Sequence, residues 1–143
     1  MSVDDLLSTV EGIVHEETQV RGRGIDLTVA EVLTVDFPGR VDFGGEELEP
    51  ADCSPHERVW RDEDDDYQWW HLEPGQYLLE YNEFRSEETP ALLQPREGLL
   101  ERGASHPTLS VRELGPVPIS VPEAGIRIKE NARVSTLLPL DQG

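Results

Sequence analysis

Hydrophobic and polar positions alternate along this chain in short runs punctuated by glycine and proline. After Gly24, the side chains of Ile25, Leu27 and Val29 fall on one side of an extended backbone and those of Asp26 and Thr28 on the other. That period of two predicts a half-buried strand, with Asp26 and Thr28 turned to solvent. The pattern continues through Val32 and Val35 until Pro38-Gly39 and Gly44-Gly45 interrupt it. Tyr67 to Leu72 reads as another strand, followed by Glu73-Pro74-Gly75-Gln76. Pro and Gly there occupy the two central positions of a type II turn, where Pro fixes the first φ and Gly accepts a positive second one. Tyr77, Leu79 and Tyr81 then share a face, so the two flanking strands are expected to form a hairpin. Further strands are predicted at 91–94, 108–114, 117–121, 126–129 and 134–138, with one around 40–43.

Many short strands separated by such turns predict an all-β domain, a compact distorted barrel or β-clip of mostly antiparallel strands. No long helical period is present, which disfavours a βαβ nucleotide-binding fold. Residues 1–12 predict a short helical turn capped by Asp4 or Asp5, with Leu6, Leu7 and Val10 on its apolar side. It is expected to belong to an N-terminal arm, 1–18, outside the core of a single domain spanning 1–143. Residues 38–66 read as an elaborated acidic loop region, and Trp60, Trp69 and Trp70 as core or interface anchors.

Charge changes the picture more than size does. Thirty Asp and Glu face twelve Lys and Arg, a formal net charge of -18 over 143 residues. A protein adapted to high salt fits this balance, because its carboxylates repel one another until ions screen them. An acidic mimic that engages a basic partner is the alternative; the even spread of acid along the chain favours salt adaptation. No basic stripe exists to displace counterions, so nucleic-acid binding is not expected. Cys53 is the one cysteine, which excludes an intrachain disulfide and fits a reducing cytoplasm. No segment has the length and apolarity of a membrane span.

Phosphate-binding glycine loops, cysteine pairs and HExxH motifs are absent. Cys53-Ser-Pro-His56 has ligand-like spacing but no companion pair, so no metal site is expected. Pro95-Arg96-Glu97-Gly98 is more specific: Arg96 follows an apolar segment and precedes a glycine-bearing turn, where a guanidinium could hold a phosphate bidentately. The alternative is a surface arrangement of Arg96 with Glu97 and of Arg102 with Glu101. Glu97 would repel a triphosphate unless a divalent ion bridged them.

Taken in order, several segments resemble the superfamily of trimeric dUTPases and dCTP deaminases. They are Gln19 to Thr28, Leu72 to Leu79 with its Pro-Gly turn, Pro95 to Gly103, Thr108 to Ile119, and Asn131 to Leu137. The resemblance implies a dUTPase-like β fold, a deoxynucleotide ligand, and a homo-oligomer, trimeric, with sites between subunits. It also implies that serines should follow Arg96 to handle phosphate oxygens; Glu97 and Gly98 stand there instead. Ala104-Ser105-His106 runs almost directly into Thr108, so the hairpin that would receive the sugar and base is expected to be deleted. Ser110 aligns with the deaminases' water-activating glutamate, and serine cannot serve as that proton acceptor near neutral pH. Arg96, Glu97, His106 and Ser110 are the ligand-binding candidates. A second alignment makes Glu113 the catalytic base, with Mg²⁺ bridging the phosphates. Three functions therefore stand: a superfamily member without standard catalysis that binds nucleotide, regulates or assembles; an altered dUTP hydrolase or dCTP deaminase; or a β-fold interaction module unrelated to nucleotides.

Overall fold

Gly24–Phe37 forms one strand of 14 residues, and most of the chain is arranged on it. The computed structural model describes residues 1–140; the last three residues of the expected domain lie outside the described residues. In chain order the elements are α1 (Val3–Leu7), α2 (Glu16–Gln19), β1 (Val20–Arg21), β2 (Gly24–Phe37), β3 (Asp52–Pro55), β4 (Trp69–Leu72), β5 (Gly75–Tyr81), β6 (Ser86–Pro95), α3 (Glu97–Leu100), β7 (Leu109–Glu113), β8 (Val117–Val121), β9 (Ile126–Lys129) and β10 (Arg133–Pro139). The main sheet runs β7-β6-β10-β2-β5-β8, with β1 and β3 also paired to β2, and β4 pairs β9 in a small second sheet. Every pairing is antiparallel. The all-β expectation holds, and β8 and β9 occupy the predicted segments.

Both faces of β2 are covered at its start. Ile25 and Leu27 enter a core cluster with Leu6, Val10, Ala91, Leu93, Val117 and Leu137. An irregular step between Val29 and Glu31 then shifts the register, so that Val32 joins Val29 in a second cluster with Trp70, Leu79 and Ile119. Contrary to the alternation argument, Asp26 and Thr28 are buried as well, at 5 % and 3 % exposure. Their partners come from distant segments rather than from solvent.

Three other expectations are corrected. The N-terminal segment contributes Leu6, fully buried, and Val10 to the core; burying a leucine contributes roughly 1.5–3 kcal/mol. Its helix is capped by Ser2, whose hydroxyl accepts from the Asp5 N–H while the Asp5 carboxylate accepts from the Ser2 N–H, a reciprocal capping box. The Pro74-Gly75 turn does not close a hairpin: β4 pairs β9 and β5 pairs β2 and β8. It is a corner between two sheets, and Gly75 takes φ +145° there, where side chains are disfavoured. Residues 40–43 form no strand; Arg40 makes a single bridge with Glu49, and the strand of this region is Asp52–Pro55.

Arg58 fastens the small sheet to β2. Its guanidinium pairs with Glu31 of β2 and, at 3.0 Å, with Glu130 beyond β9, and it lies 5.2 Å from the centre of the buried Trp70 ring.

Candidate functional site

Arg96 follows β6 and is the N-cap residue of α3. Its backbone N–H bonds the Val134 carbonyl at 3.0 Å, and its own carbonyl accepts from Leu99 and Leu100 at 3.0 and 3.1 Å. The side chain turns inward. Its Nε lies 3.4 Å from Asp26 Oδ2, where Arg133 Nη1 also donates at 3.1 Å, and Thr136 Oγ1 donates to Asp26 Oδ1 at 2.9 Å. Antiparallel register brings these together, since Thr136 of β10 sits opposite Asp26 of β2. One buried carboxylate thus receives two guanidinium groups, leaving a local excess of positive charge at the β6–α3 junction. The expected Arg96–Glu97 arrangement is replaced by this inward pair. Glu97 is exposed, and a side chain at Gly98 would meet nothing within 4 Å. Arg102 donates to the Gly98 carbonyl at 2.9 Å and stands 3.9 Å from Glu101.

A second buried network continues from Asp26. Gln19 donates to the Asp26 carbonyl at 2.9 Å and to Glu83 Oε2 at 2.8 Å. The Glu83 carboxylate, 3 % exposed, also accepts from the Thr28 N–H at 2.8 Å and the Thr28 hydroxyl at 2.6 Å. Asn82 bridges Thr28 Oγ1 and Asn131 Oδ1 at 2.9 and 2.7 Å. Two small clefts flank Arg133. One, of 250 Å³, includes His15, Thr18, Thr28 and Asn131; the other, of 210 Å³, includes Trp69, Leu99, Arg102 and Lys129.

The remaining candidates do not gather around Arg96. His106 is 5 % exposed and belongs to the packing. Its Nδ1 lies 2.9 Å from the Pro107 carbonyl and therefore carries the proton; Nε2 then accepts from Ser135 Oγ at 2.7 Å, and Ser135 accepts from the Tyr81 hydroxyl at 2.6 Å. Burial pushes the imidazole below its ordinary range and the Tyr81 phenol up to about 12, so both are held neutral. Ser110 is exposed on β7, opposite Leu92. Glu113 is exposed at the other end of the same strand, opposite Ser86.

Ser86 begins β6 and Arg96 follows its last residue. Ser86 opposes Glu113 and Ala91 opposes Val111, so a bulge takes up part of β6. Two steps from Glu113 to Val111 and five from Ala91 to Arg96, at about 3.3 Å each, separate Arg96 from Glu113 by about 20 Å within one chain. Glu113 instead borders an open cleft of 690 Å³ with Ser86, Glu87, Glu88 and Arg112, in which carboxylates outnumber the single guanidinium. Between α3 and β7, where Ala104-Ser105-His106 runs into Thr108, the chain forms no strand of its own beyond a single bridge of Ser105 with Ser120, and β7 reaches β8 through Leu114, Gly115 and Pro116. Among the described residues no group of three or more His, Cys, Asp and Glu could hold a metal ion. Cys53 and His56 turn to the carbonyls of Ala51 and Glu57 instead. A dedicated Mg²⁺ site does not fit this donor set.

No protein-family model matches the chain. It is 34 % identical over 137 residues to a probable deoxyuridine 5'-triphosphate nucleotidohydrolase of Methanosarcina acetivorans, covering 90 % of this chain and 76 % of the relative. The chain belongs to the dUTPase/dCTP deaminase superfamily. A second such relative, from Methanosarcina mazei, is 31 % identical over 137 residues with the same coverage. Among solved structures, 2'-deoxycytidine 5'-triphosphate deaminase of Agrobacterium tumefaciens superposes with a TM-score of 0.59 at 12 % identity. That alignment covers 96 % of this chain but 46 % of the deaminase chain, so this dUTPase-like chain spans just under half of its length.

Sequence reasoning selected Arg96 but missed Asp26, Arg133 and Thr136. All three fall inside segments that carry the superfamily resemblance, and that was the available signal. Their convergence depends on β2–β10 register, which no local pattern states.

Proposed function

We propose that this chain is a dUTPase/dCTP deaminase-superfamily member without the standard catalysis, acting as a deoxynucleotide-binding, regulatory or assembly protein. The observation that carries the reading is the separation of Arg96 from Glu113 by about 20 Å along β6 and β7 of one chain. A hydrolase must hold the phosphates and orient water within one hydrogen-bonded constellation, because positioning supplies much of its rate. Here the phosphate-type arginine is paired with Asp26, the following position is an exposed glutamate, and the cleft beside Glu113 is acidic. A triphosphate is repelled there. Arg96 and Arg133 around Asp26 retain the positive charge needed to attract phosphate at the β6–α3 junction.

The names of the archaeal relatives favour a second reading, dUTP hydrolysis at a site shared between subunits of a trimer, with Arg96 of one copy and Glu113 of another. Assay of dUTP and dCTP turnover in high salt with Mg²⁺, beside calorimetric titration of both nucleotides, separates the two. Binding without turnover is expected. Turnover abolished by Glu113→Gln would overturn the first reading in favour of the second, and no binding of either nucleotide would remove the nucleotide-based versions of both.

A further inference from the structure

The excursion between β2 and β3 carries an anomalous surface. Val35, Phe37, Val41, Phe43 and Leu48 are all exposed, Val41 by 90 % and Phe43 fully. Five large apolar side chains within fourteen residues, on so acidic a chain, mark a contact surface rather than scattered exposure. The arm is preformed. Arg40 and Glu49 exchange backbone hydrogen bonds at 2.9 and 3.0 Å, and the Asp42 carboxylate accepts from the Gly45 and Glu47 N–H groups at 3.1 Å. Its rim is acidic, with Asp36, Asp42, Glu46 and Glu47, while the charge of Arg40 is taken by Glu49.

A complementary surface exists on the same chain. The 210 Å³ cleft beside α3 has Trp69 and Leu99 among its apolar walls and is lined by Arg102, Arg127, Lys129 and Arg133, with no Asp or Glu. Four of the twelve basic residues of the sequence therefore line this cleft, two of them paired with carboxylates outside it. Lys129 and Arg133 have partners in Asp66 and Asp26, whereas Arg102 has only a distant, exposed Glu101. The base of the arm lies away from the cleft on β2: Arg133 sits opposite Thr28, and Phe37 is nine residues further along the same strand, at most about 30 Å away.

We infer that the 35–48 arm of one copy seats in the basic cleft of the next, with Val41 and Phe43 against the apolar walls and Asp42, Glu46 and Glu47 facing Arg102 and Arg127. The contact joins two different patches, so successive copies add head to tail. It depends on neither nucleotide binding nor turnover.

Sedimentation equilibrium of the full chain in high salt tests this, with circular dichroism confirming that each variant folds. Wild type associates; Val41→Ser/Phe43→Ser, which alters only exposed positions, and Gly98→Trp, which fills the mouth of the cleft from a position open to solvent, each weaken association by about tenfold or more. At lower salt, Glu47→Arg and Arg127→Glu each weaken it and the combined variant restores it. A monomeric wild type overturns the inference. So does association insensitive to the arm variant, or an arm variant that dissociates while both cleft variants remain assembled, since the arm then meets another partner or its own counterpart.

Discussion

The Glu83 carboxylate accepts both the backbone N–H and the hydroxyl of Thr28, at 2.8 and 2.6 Å, across 55 residues of chain. This pair closes the turn after β5 onto the middle of β2 and satisfies a strand N–H that the ladder leaves unpaired. Gln19 completes it at 2.8 Å, tying α2 to the same point. Glu83→Ala leaves that N–H buried without an acceptor, and a cost of about 3 kcal/mol is expected. Urea denaturation measures it; a loss below about 1 kcal/mol would show that water replaces the carboxylate.

Asp26 and its two arginines behave as one unit. Asp26→Asn leaves Arg96 and Arg133 repelling each other beside a neutral amide. Removing Arg133 as well relieves that repulsion. A double-mutant cycle of Asp26→Asn with Arg133→Met should therefore give a coupling of about 1–3 kcal/mol, whereas additive losses would show that the groups act separately.

Stability should fall as acid is added, through His106. Burial holds its folded-state value below the ordinary 6.5. Above that value both states are neutral and its contribution is complete; as pH drops below about 6.5 the unfolded chain takes up a proton that the folded protein refuses. The urea midpoint should decline from about pH 7 to about pH 5, and His106→Gln should flatten part of that slope. An unchanged slope would place the acid sensitivity elsewhere.

With a formal charge of -18, the folded state repels itself at low ionic strength. The melting temperature should rise steadily as KCl is added, and neutralising exposed acids by Asp62→Asn and Asp64→Asn should reduce the slope. A melting temperature indifferent to salt would contradict salt adaptation and favour the acidic-mimic reading.

The strands were legible where alternation is bounded by Gly and Pro, as in Val117–Val121 and Ile126–Lys129. Their pairing was not. Pro74-Gly75 carries the local chemistry of a hairpin turn, but burial of Trp70 and Leu72 against Ile128 draws β4 to β9 instead. Asp26 and Thr28 read as solvent-facing because their side-chain partners stand at Glu83, Arg133 and Thr136, far away in sequence. The site shows the same division. Arg96 is visible from its setting, and its engagement by a carboxylate seventy positions earlier is a product of register. The short passage from His106 into Thr108 was visible as a count of residues, while the pairing of the strand it enters with β6 was not.

Leu114, Gly115 and Pro116 connect the strands that stand at the two ends of the six-strand path, β7 and β8. They work as a stitch drawn tight across an open seam. Neither border of the sheet can peel away without straining the other. A residue inserted there would slacken both borders together, so this small crossing sets how tautly the whole β layer is curled.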